Sequence, residues 1–425
     1  MDKKITTLFY IILPLLTIGI NFGYTIFSIC ILALLCRLLF SNKDTAGFYL
    51  LMFGGPLAGI IRMSYPSIPI YGLVLNFVGV LLMRNYFSSF LKERKASMRS
   101  MFLVILVFFM SYLFAEHTPY ANDKMFQIFF HGSLMLWGYY VYAKSNKISF
   151  EHLCQLLLVT SIAFISFPIR EYGLSVGSII DYNWLRSQLE TYMYVNDEPT
   201  LISYQNIGML SLFGYSLYLS KTHLDKKKIV YYTFIAFQII LMSGARQAIL
   251  GFLVIAFLRF AFFNNKKSIS KVMYIVMGAM MTVLLVLMIV RSGSEAIDAA
   301  LESGGSGRDL IYVDALRIIS QNLMFGVGLG GFPLHSVMAT WPHNFFLELL
   351  CEIGLVGTLA LFFIVLIYMI NNRVSLRICT RSNNYYFLVV LALFIRVMIS
   401  GDLTESIEIF SAILAVSSIY KLRNV

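Results

Sequence analysis

Apolar stretches long enough to cross a bilayer recur along the whole chain, separated by short polar segments. A helix needs roughly 20 mostly apolar residues to cross the hydrocarbon core of a membrane. The pattern predicts fourteen transmembrane helices, at residues 5–20, 23–40, 46–61, 69–86, 101–115, 125–143, 152–169, 201–220, 229–243, 247–263, 272–290, 344–370, 384–399 and 405–420. We therefore expect an all-α, polytopic membrane protein that forms a single integral membrane domain over residues 1–425.

The orientation follows from the basic residues. When the N-terminus is placed in the cytoplasm, 24 of the 33 lysines and arginines fall in inside segments or at the inner end of a span. Cytoplasmic loops of membrane proteins carry such an excess of positive charge. The sequence thus predicts an N-in, C-in topology. The first apolar run has no small-residue cleavage site after it, so we interpret it as an uncleaved helix.

Two outer loops are long, at residues 170–200 and 291–343. The second lies between spans 11 and 12, and the sequence predicts short helices in it at 294–302 and 309–321. The helix at 309–321 is apolar on most sides, so it should lie against the bundle or the bilayer surface. The run GVGLGG at 326–331 follows no strand, which excludes a dinucleotide-binding loop and favours a tight turn that packs closely on a helix or a ligand.

Composition narrows the functional classes. The chain is 59% hydrophobic and 13% charged, with a mean hydropathy of +0.76, which leaves no room for a sizeable soluble domain. Its formal charge of +11 is explained by the cytoplasmic loops, so nucleic acid is not an expected partner. The five cysteines form no CxxC motif or matched outer pair, and no metal, P-loop or serine-hydrolase motif is present in the sequence. We therefore predict no cofactor and no metal.

The nine basic residues left on the outer side are eight arginines and one lysine. They are Arg62, Lys124, Arg170, Arg186, Arg246, Arg291, Arg308, Arg317 and Arg396. Arginine binds phosphate and carboxylate groups through two parallel contacts. Each of these residues could instead pair with an outer acid such as Glu171, Asp309 or Glu405, or contact lipid headgroups. For any single arginine this alternative is stronger, whereas the set as a whole favours an anionic ligand at the outer face.

His343 is the strongest candidate for chemistry, because it lies at the predicted start of a transmembrane helix on the outer side, next to Asn344. A helix N-terminus disfavours a cationic imidazole, which would keep the ring available as a base. The alternative is an interfacial histidine without a catalytic role. Glu348 and Glu352 follow within the span, and such acids are either functional or neutralise membrane arginines, for example Arg246 or Arg396.

Four features in this order resemble the bacterial O-antigen polymerase and O-antigen ligase superfamily, most clearly over residues 240–370. They are the break SGARQ at 243–247, Arg308 before a short loop helix, the glycines at 326–331, and His343–Asn344 followed by Glu348. The resemblance implies a metal-independent, inverting glycosyltransferase. Its donor would be a glycan on undecaprenyl diphosphate, at the periplasmic face of the bacterial inner membrane. Arg246 and Arg308 would hold the diphosphate, and His343 would act at the acceptor.

These arguments give a defined set of candidate residues. The predicted catalytic residues are His343, Arg308 and Arg246, and the predicted substrate-binding residues are Arg170, Arg291, Arg317, Asn344, Glu348, Trp341 and Tyr312. The two aromatic side chains could equally belong to an interfacial belt. The expected partners are carrier-linked glycans as donor and acceptor, membrane lipid, and a chain-length regulator protein as a further candidate.

The number of spans and the moderate outer loop favour a polymerase of O-antigen repeat units over a ligase that transfers the glycan to lipid A core. Two alternatives come from other classes. A flippase for lipid-linked oligosaccharides would place its charges along a central cavity between two similar halves. A non-catalytic assembly protein would tolerate replacement of His343 and Arg308.

Overall fold

The computed structural model describes residues 42–64, 71–93, 95–145, 148–172, 204–220, 224–262, 308–372, 386–399 and 402–421. Every regular element in these ranges is helical, as predicted. Eleven of the fourteen predicted spans overlap described helices, whereas those at 5–20, 23–40 and 272–290 lie outside the described residues. The predicted helix at 309–321 is confirmed, and the one at 294–302 lies outside the described residues.

The described helices, in chain order, are α1 (Lys43–Ser64), α2 (Gly72–Leu82), α3 (Phe87–Glu93), α4 (Lys95–Leu113), α5 (Pro119–Lys144), α6 (Phe150–Tyr172), α7 (Tyr204–Leu219), α8 (Lys226–Ser243), α9 (Arg246–Phe262), α10 (Arg308–Gln321), α11 (Phe332–His335), α12 (Phe345–Glu352), α13 (Gly354–Asn371), α14 (Phe387–Ile399) and α15 (Leu403–Lys421). They fall in two compact units. The first contains α1, α2 and α6 to α9, and the second contains α3 to α5 and α10 to α15.

Three helices among the described residues are long and apolar enough to cross a membrane: Lys43–Arg62, Lys95–Leu113 and Gly354–Asn371. Two of them, α4 and α13, expose large apolar side chains such as Phe102 and Phe363. Such side chains are stable on a surface that faces lipid, and the protein is an integral membrane protein. The full number of spans and their orientation remain predictions.

Buried hydroxyl and amide groups connect the helices of the first unit. Tyr49 on α1 shares a hydrogen bond of 2.6 Å with Thr160 on α6, and the side-chain amide of Gln155 on α6 donates to the Tyr232 hydroxyl on α8 over 2.6 Å. Hydrogen bonds of this kind stabilise helix–helix contacts in a membrane, where the surrounding lipid is as apolar as the helix surfaces.

The second unit packs α5 against α15 and α4 against α13. Ser97 on α4 shares a hydrogen bond of 2.9 Å with Tyr368 on α13 and donates to the Leu414 carbonyl on α15 over 3.0 Å. A single buried serine thus joins three helices at one end of this unit.

The segment 344–370, predicted as one span, is instead two helices, α12 and α13, that meet at Gly354. Gly354 has a φ of 65°, and a Cβ there would lie 2.5 Å from the Met324 carbonyl oxygen. The backbone amide of Leu355 donates to the Leu323 carbonyl over 2.8 Å, so the chain after α10 binds the first turn of α13. Hydropathy does not reveal such a break, because both helices are apolar.

Candidate functional site

Asn344 fixes the start of α12. Its side-chain oxygen accepts hydrogen bonds from the backbone amides of Phe346 and Leu347 over 3.1 and 3.3 Å, which makes it the N-cap residue. Its side-chain nitrogen donates to the Met398 carbonyl on α14 over 3.3 Å. One side chain therefore caps α12 and attaches its start to a neighbouring helix.

His343 directly precedes this cap and has an unusual backbone. Its φ is 55°, the only positive value at a non-glycine position within the described ranges. Such a conformation costs on the order of 1 kcal/mol and is concentrated at functional sites. The imidazole is half-buried, and its ring centroid lies 4.9 Å from that of Trp341 in an edge-to-face arrangement. The structure thus places both predicted residues side by side.

The glycine-rich loop 326–331 binds the other end of α12. The backbone amides of Val327 and Gly328 donate to the carbonyls of Cys351 and Glu352 over 2.7 and 3.0 Å. The amide of Gly330 donates to the Glu352 side-chain oxygen Oε2 over 3.0 Å. These amides bind the protein itself, so the prediction of a tight turn that packs on a helix is confirmed.

Glycine is required in this loop for two reasons. Gly326, Gly328 and Gly330 have φ values of 71°, 88° and 76°, and residues with a side chain rarely adopt this backbone conformation. In addition, a Cβ on Gly330 would lie 2.7 Å from the Cα of Ala121 at the start of α5. The loop is therefore wedged between α5 and the end of α12.

A buried ion cluster lies beneath this loop. The Lys124 ammonium on α5 is 2.6 Å from Glu348 Oε1 and 2.8 Å from Glu352 Oε1, and none of the three side chains is more than 1% exposed. The two glutamates lie one helical turn apart on α12, so both reach the same ammonium. The second oxygen of Glu348 is also buried and has no hydrogen-bond partner among the described residues.

The partner of these glutamates differs from the sequence-based alternative, which paired them with Arg246 or Arg396. Arg396 on α14 instead contacts Glu405 and lies 3.8 Å from Glu408, both on α15. The alternative that outer arginines pair with acids such as Glu405 is thus confirmed for Arg396. Lys124 was recognised only as one of nine outer cations, and its separation from Glu348 by 224 residues concealed the pairing.

Helix α10 presents a buried face and an exposed face. Ala315, Ile318 and Ile319 pack against Phe332 and Cys351, as expected for a helix that lies against the bundle. On the opposite side Leu310, Val313 and Leu316 are exposed. This second apolar row agrees with the expectation of a helix that is apolar on most sides.

The predicted binding residues of α10 lie in different surroundings. Arg308 is the first residue of the helix, and its side chain lies outside the described residues. Tyr312 is half-buried. Arg317 forms an ion pair of 2.7 Å with Asp314 and donates to the His335 carbonyl over 2.8 Å. The nearby Ser336 side chain and Arg317 lower the pKa of Asp314, so this carboxylate stays ionised at neutral pH.

Arg246 belongs to the first unit, where it begins α9 with an exposed side chain. Gly244, with a φ of 64°, ends α8 and turns the chain into α9. The break packs tightly on α7, since a Cβ at Gly208 would lie 2.7 Å from the Cβ of Ala245. Of the remaining predicted residues, Arg170 lies in α6 with a side chain outside the described residues, and Arg291 lies outside them altogether.

Comparison with protein families gives a match that covers residues 231–363 and is described as O-antigen ligase. Residues 231–363 are thus similar to the O-antigen ligase family. The matched segment contains Arg246, Arg308 and His343, all three of the predicted catalytic residues. Comparison with curated proteins gave no match.

Proposed function

We propose that this protein polymerises oligosaccharide repeat units carried on undecaprenyl diphosphate, at the periplasmic face of the inner membrane. The observation that carries the proposal is His343, which lies inside the family match with a left-handed backbone at the capped start of α12. The arrangement presents an imidazole at the edge of a rigid junction. Rigid support of this kind is what a general base requires.

In the proposed reaction an acceptor hydroxyl attacks the anomeric carbon of the donor glycan. The hydroxyl oxygen forms the new glycosidic bond while the bond between the anomeric carbon and the diphosphate oxygen breaks. The hydroxyl proton passes to His343, and undecaprenyl diphosphate leaves with the bonding electrons. A single displacement of this kind inverts the anomeric configuration. General base catalysis contributes typically 100- to 10,000-fold to such a rate.

The leaving diphosphate gains negative charge in the transition state, and we propose Arg308 for its stabilisation, with Arg246 of the first unit as a separate candidate. Both are the first residues of helices, α9 and α10, where backbone amides also favour an anion. One well-placed donor to a developing oxyanion contributes about 3 kcal/mol. We accordingly expect that activity survives chelation of divalent cations. Loss of activity with EDTA and recovery with added Mg²⁺ or Mn²⁺ would overturn this assignment.

The direct test uses purified protein in liposomes with a synthetic undecaprenyl-diphosphate repeat unit as both donor and acceptor. We expect products longer than one repeat, separated by gel electrophoresis. The His343→Ala variant should lose at least about 100-fold in rate. His335→Ala is the matched control, because His335 lies exposed in the same outer loop and its known contact uses its backbone carbonyl. Equal rates for His343→Ala and the unmodified protein would refute the role of His343.

The same preparation distinguishes the alternatives. The description of the matched family favours a ligase as the second candidate. Product formed only when lipid A core is supplied as acceptor would identify a ligase. Movement of the carrier-linked repeat between leaflets, measured without any new glycosidic bond, would instead identify a flippase.

A further inference from the structure

Lys124 lies in α5, outside the segment 231–363 that matches the family, yet it makes direct contact with α12. Its Nζ reaches Glu348 and Glu352 over 2.6 and 2.8 Å, and it is 1% exposed. The Tyr120 ring lies one turn earlier on α5, with its centroid 5.4 Å from the same ammonium. The two carboxylates and the face of the Tyr120 ring thus surround the ammonium and stabilise its positive charge.

The same cluster joins four segments of the second unit. Glu352 contacts Lys124 through Oε1, accepts from the Gly330 amide through Oε2, and accepts from the Gly328 amide and the Ser111 hydroxyl through its carbonyl. Helices α4, α5 and α12 and the glycine loop therefore meet at one residue. A buried charge in a membrane protein is costly unless it is paired, which makes this arrangement difficult to displace.

Two anchors hold the short helix α12. Asn344 attaches its N-terminus to α14, and Lys124 binds its first and second turns through the two glutamates. His343 is the residue immediately before the first anchor. Without the lysine, the two glutamates would lose their shared cation in a buried site, and the resulting change in their charge and hydrogen bonds would shift α12. A displacement of about 1 Å at a catalytic group can cost roughly 100-fold in rate.

We propose that Lys124 is a positioning residue, which holds α12 and the glycine loop so that His343 is correctly placed for catalysis. The inference rests on the proposed role of His343 as the base. Lys124 is buried and bound to two side chains, so it acts on the reaction through His343 and not by contact with the glycan. A helix from outside the matched segment then contributes to the geometry of the reacting group.

The test is a double-mutant cycle on the full-length protein in liposomes, with rates expressed per folded molecule. We expect Lys124→Met to lower kcat at least about tenfold while the KM for the donor changes less than about twofold. Lys124→Arg, which keeps the charge, should recover most of the rate. In the His343→Ala background, Lys124→Met should cause no further loss, because its effect passes through the residue already removed.

Lys95→Met is the matched control, since Lys95 is an exposed lysine of the same unit. If Lys124→Met does not fold, the neutral triple variant Lys124→Met, Glu348→Gln, Glu352→Gln replaces it in the cycle. Equal proportional losses in both backgrounds would show a purely structural lysine and overturn the inference. Should His343→Ala itself retain full activity, the proposed function fails first, and the two failures are thereby distinguished.

Discussion

Two groups of charges stabilise the segment 308–352, and they lie in opposite surroundings. The cluster of Lys124, Glu348 and Glu352 is at most 1% exposed, whereas Arg317 is 49% exposed in its pair with Asp314. Both contain ion pairs of 2.6 to 2.8 Å. Burial therefore decides their importance, because removal of one partner leaves an uncompensated charge only where water cannot replace it.

The largest effect is expected at the glycine loop that covers the buried cluster. A Gly330→Val side chain would begin 2.7 Å from the Ala121 Cα, on a backbone with a φ of 76°. Neither the α5 backbone nor the loop can yield without breaking the amide contact to Glu352. We expect loss of folded protein in the membrane, measured as abundance and as a monodisperse peak in detergent. Gly55→Ala is the control, because a Cβ there meets nothing within 4 Å. Normal abundance of Gly330→Val would show that the loop is not wedged.

The next effect is expected at the carboxylate itself. Glu352→Ala would leave Lys124 with one partner and the Gly330 amide with none, and breaking a buried pair costs about 3–5 kcal/mol. Glu352→Gln keeps an acceptor for the amide and should cost less. The measurement is the thermal midpoint in detergent, with both variants compared to the unmodified protein. Equal midpoints for the Ala and Gln variants would mean that the Gly330 contact contributes nothing.

Part of this picture could be predicted from the sequence. Apolar runs predict helices, because the backbone groups of a membrane-embedded segment must form hydrogen bonds with one another. Accordingly, α4 and α13 coincide with predicted spans. His343 and Asn344 could be predicted because they lie at the start of an apolar run, and Trp341 because it lies in the polar segment just before that run. Lys124 was not recognised as the partner of Glu348, because the contact joins residues 224 positions apart.

The break at Gly354 was missed for a different reason. Hydropathy averages over many residues and does not detect a single backbone conformation. A signal was nevertheless present, since glycine at 354 follows two acids within an apolar run, and a second glycine cluster precedes it at 326–331. Two segments that contain glycine can approach each other closely, because neither has a side chain between the two backbones. Gly326 and Gly354 make such a contact.

A smaller effect is expected at the start of α12, between the two charged groups. Asn344→Ala removes both the cap and the bond to the Met398 carbonyl. Loss of an N-cap costs about 1 kcal/mol, so the thermal midpoint should fall by a few degrees. Because His343 adjoins the cap, we expect the fall in kcat to exceed what the lost stability explains. Asn344→Ser retains a capping oxygen and should recover stability more than activity, because serine is too short to reach Met398. Full recovery of both would assign no role to that bond.

The smallest effect is expected at the exposed pair. Arg317→Ala removes contacts to Asp314 and to the His335 carbonyl, and a solvent-exposed pair of this kind contributes about 0–1 kcal/mol. We expect a thermal midpoint within about 2 °C of the unmodified protein and a loss of polymerisation rate below about threefold. High salt should make both differences smaller, because it screens the exposed pair. Because Arg317 is also a predicted substrate-binding residue, the donor KM is the decisive measurement. A tenfold rise in this KM would indicate that Arg317 binds the diphosphate of the donor. The exposed pair would then matter for substrate binding, and burial alone would no longer decide which of the two charged groups is important.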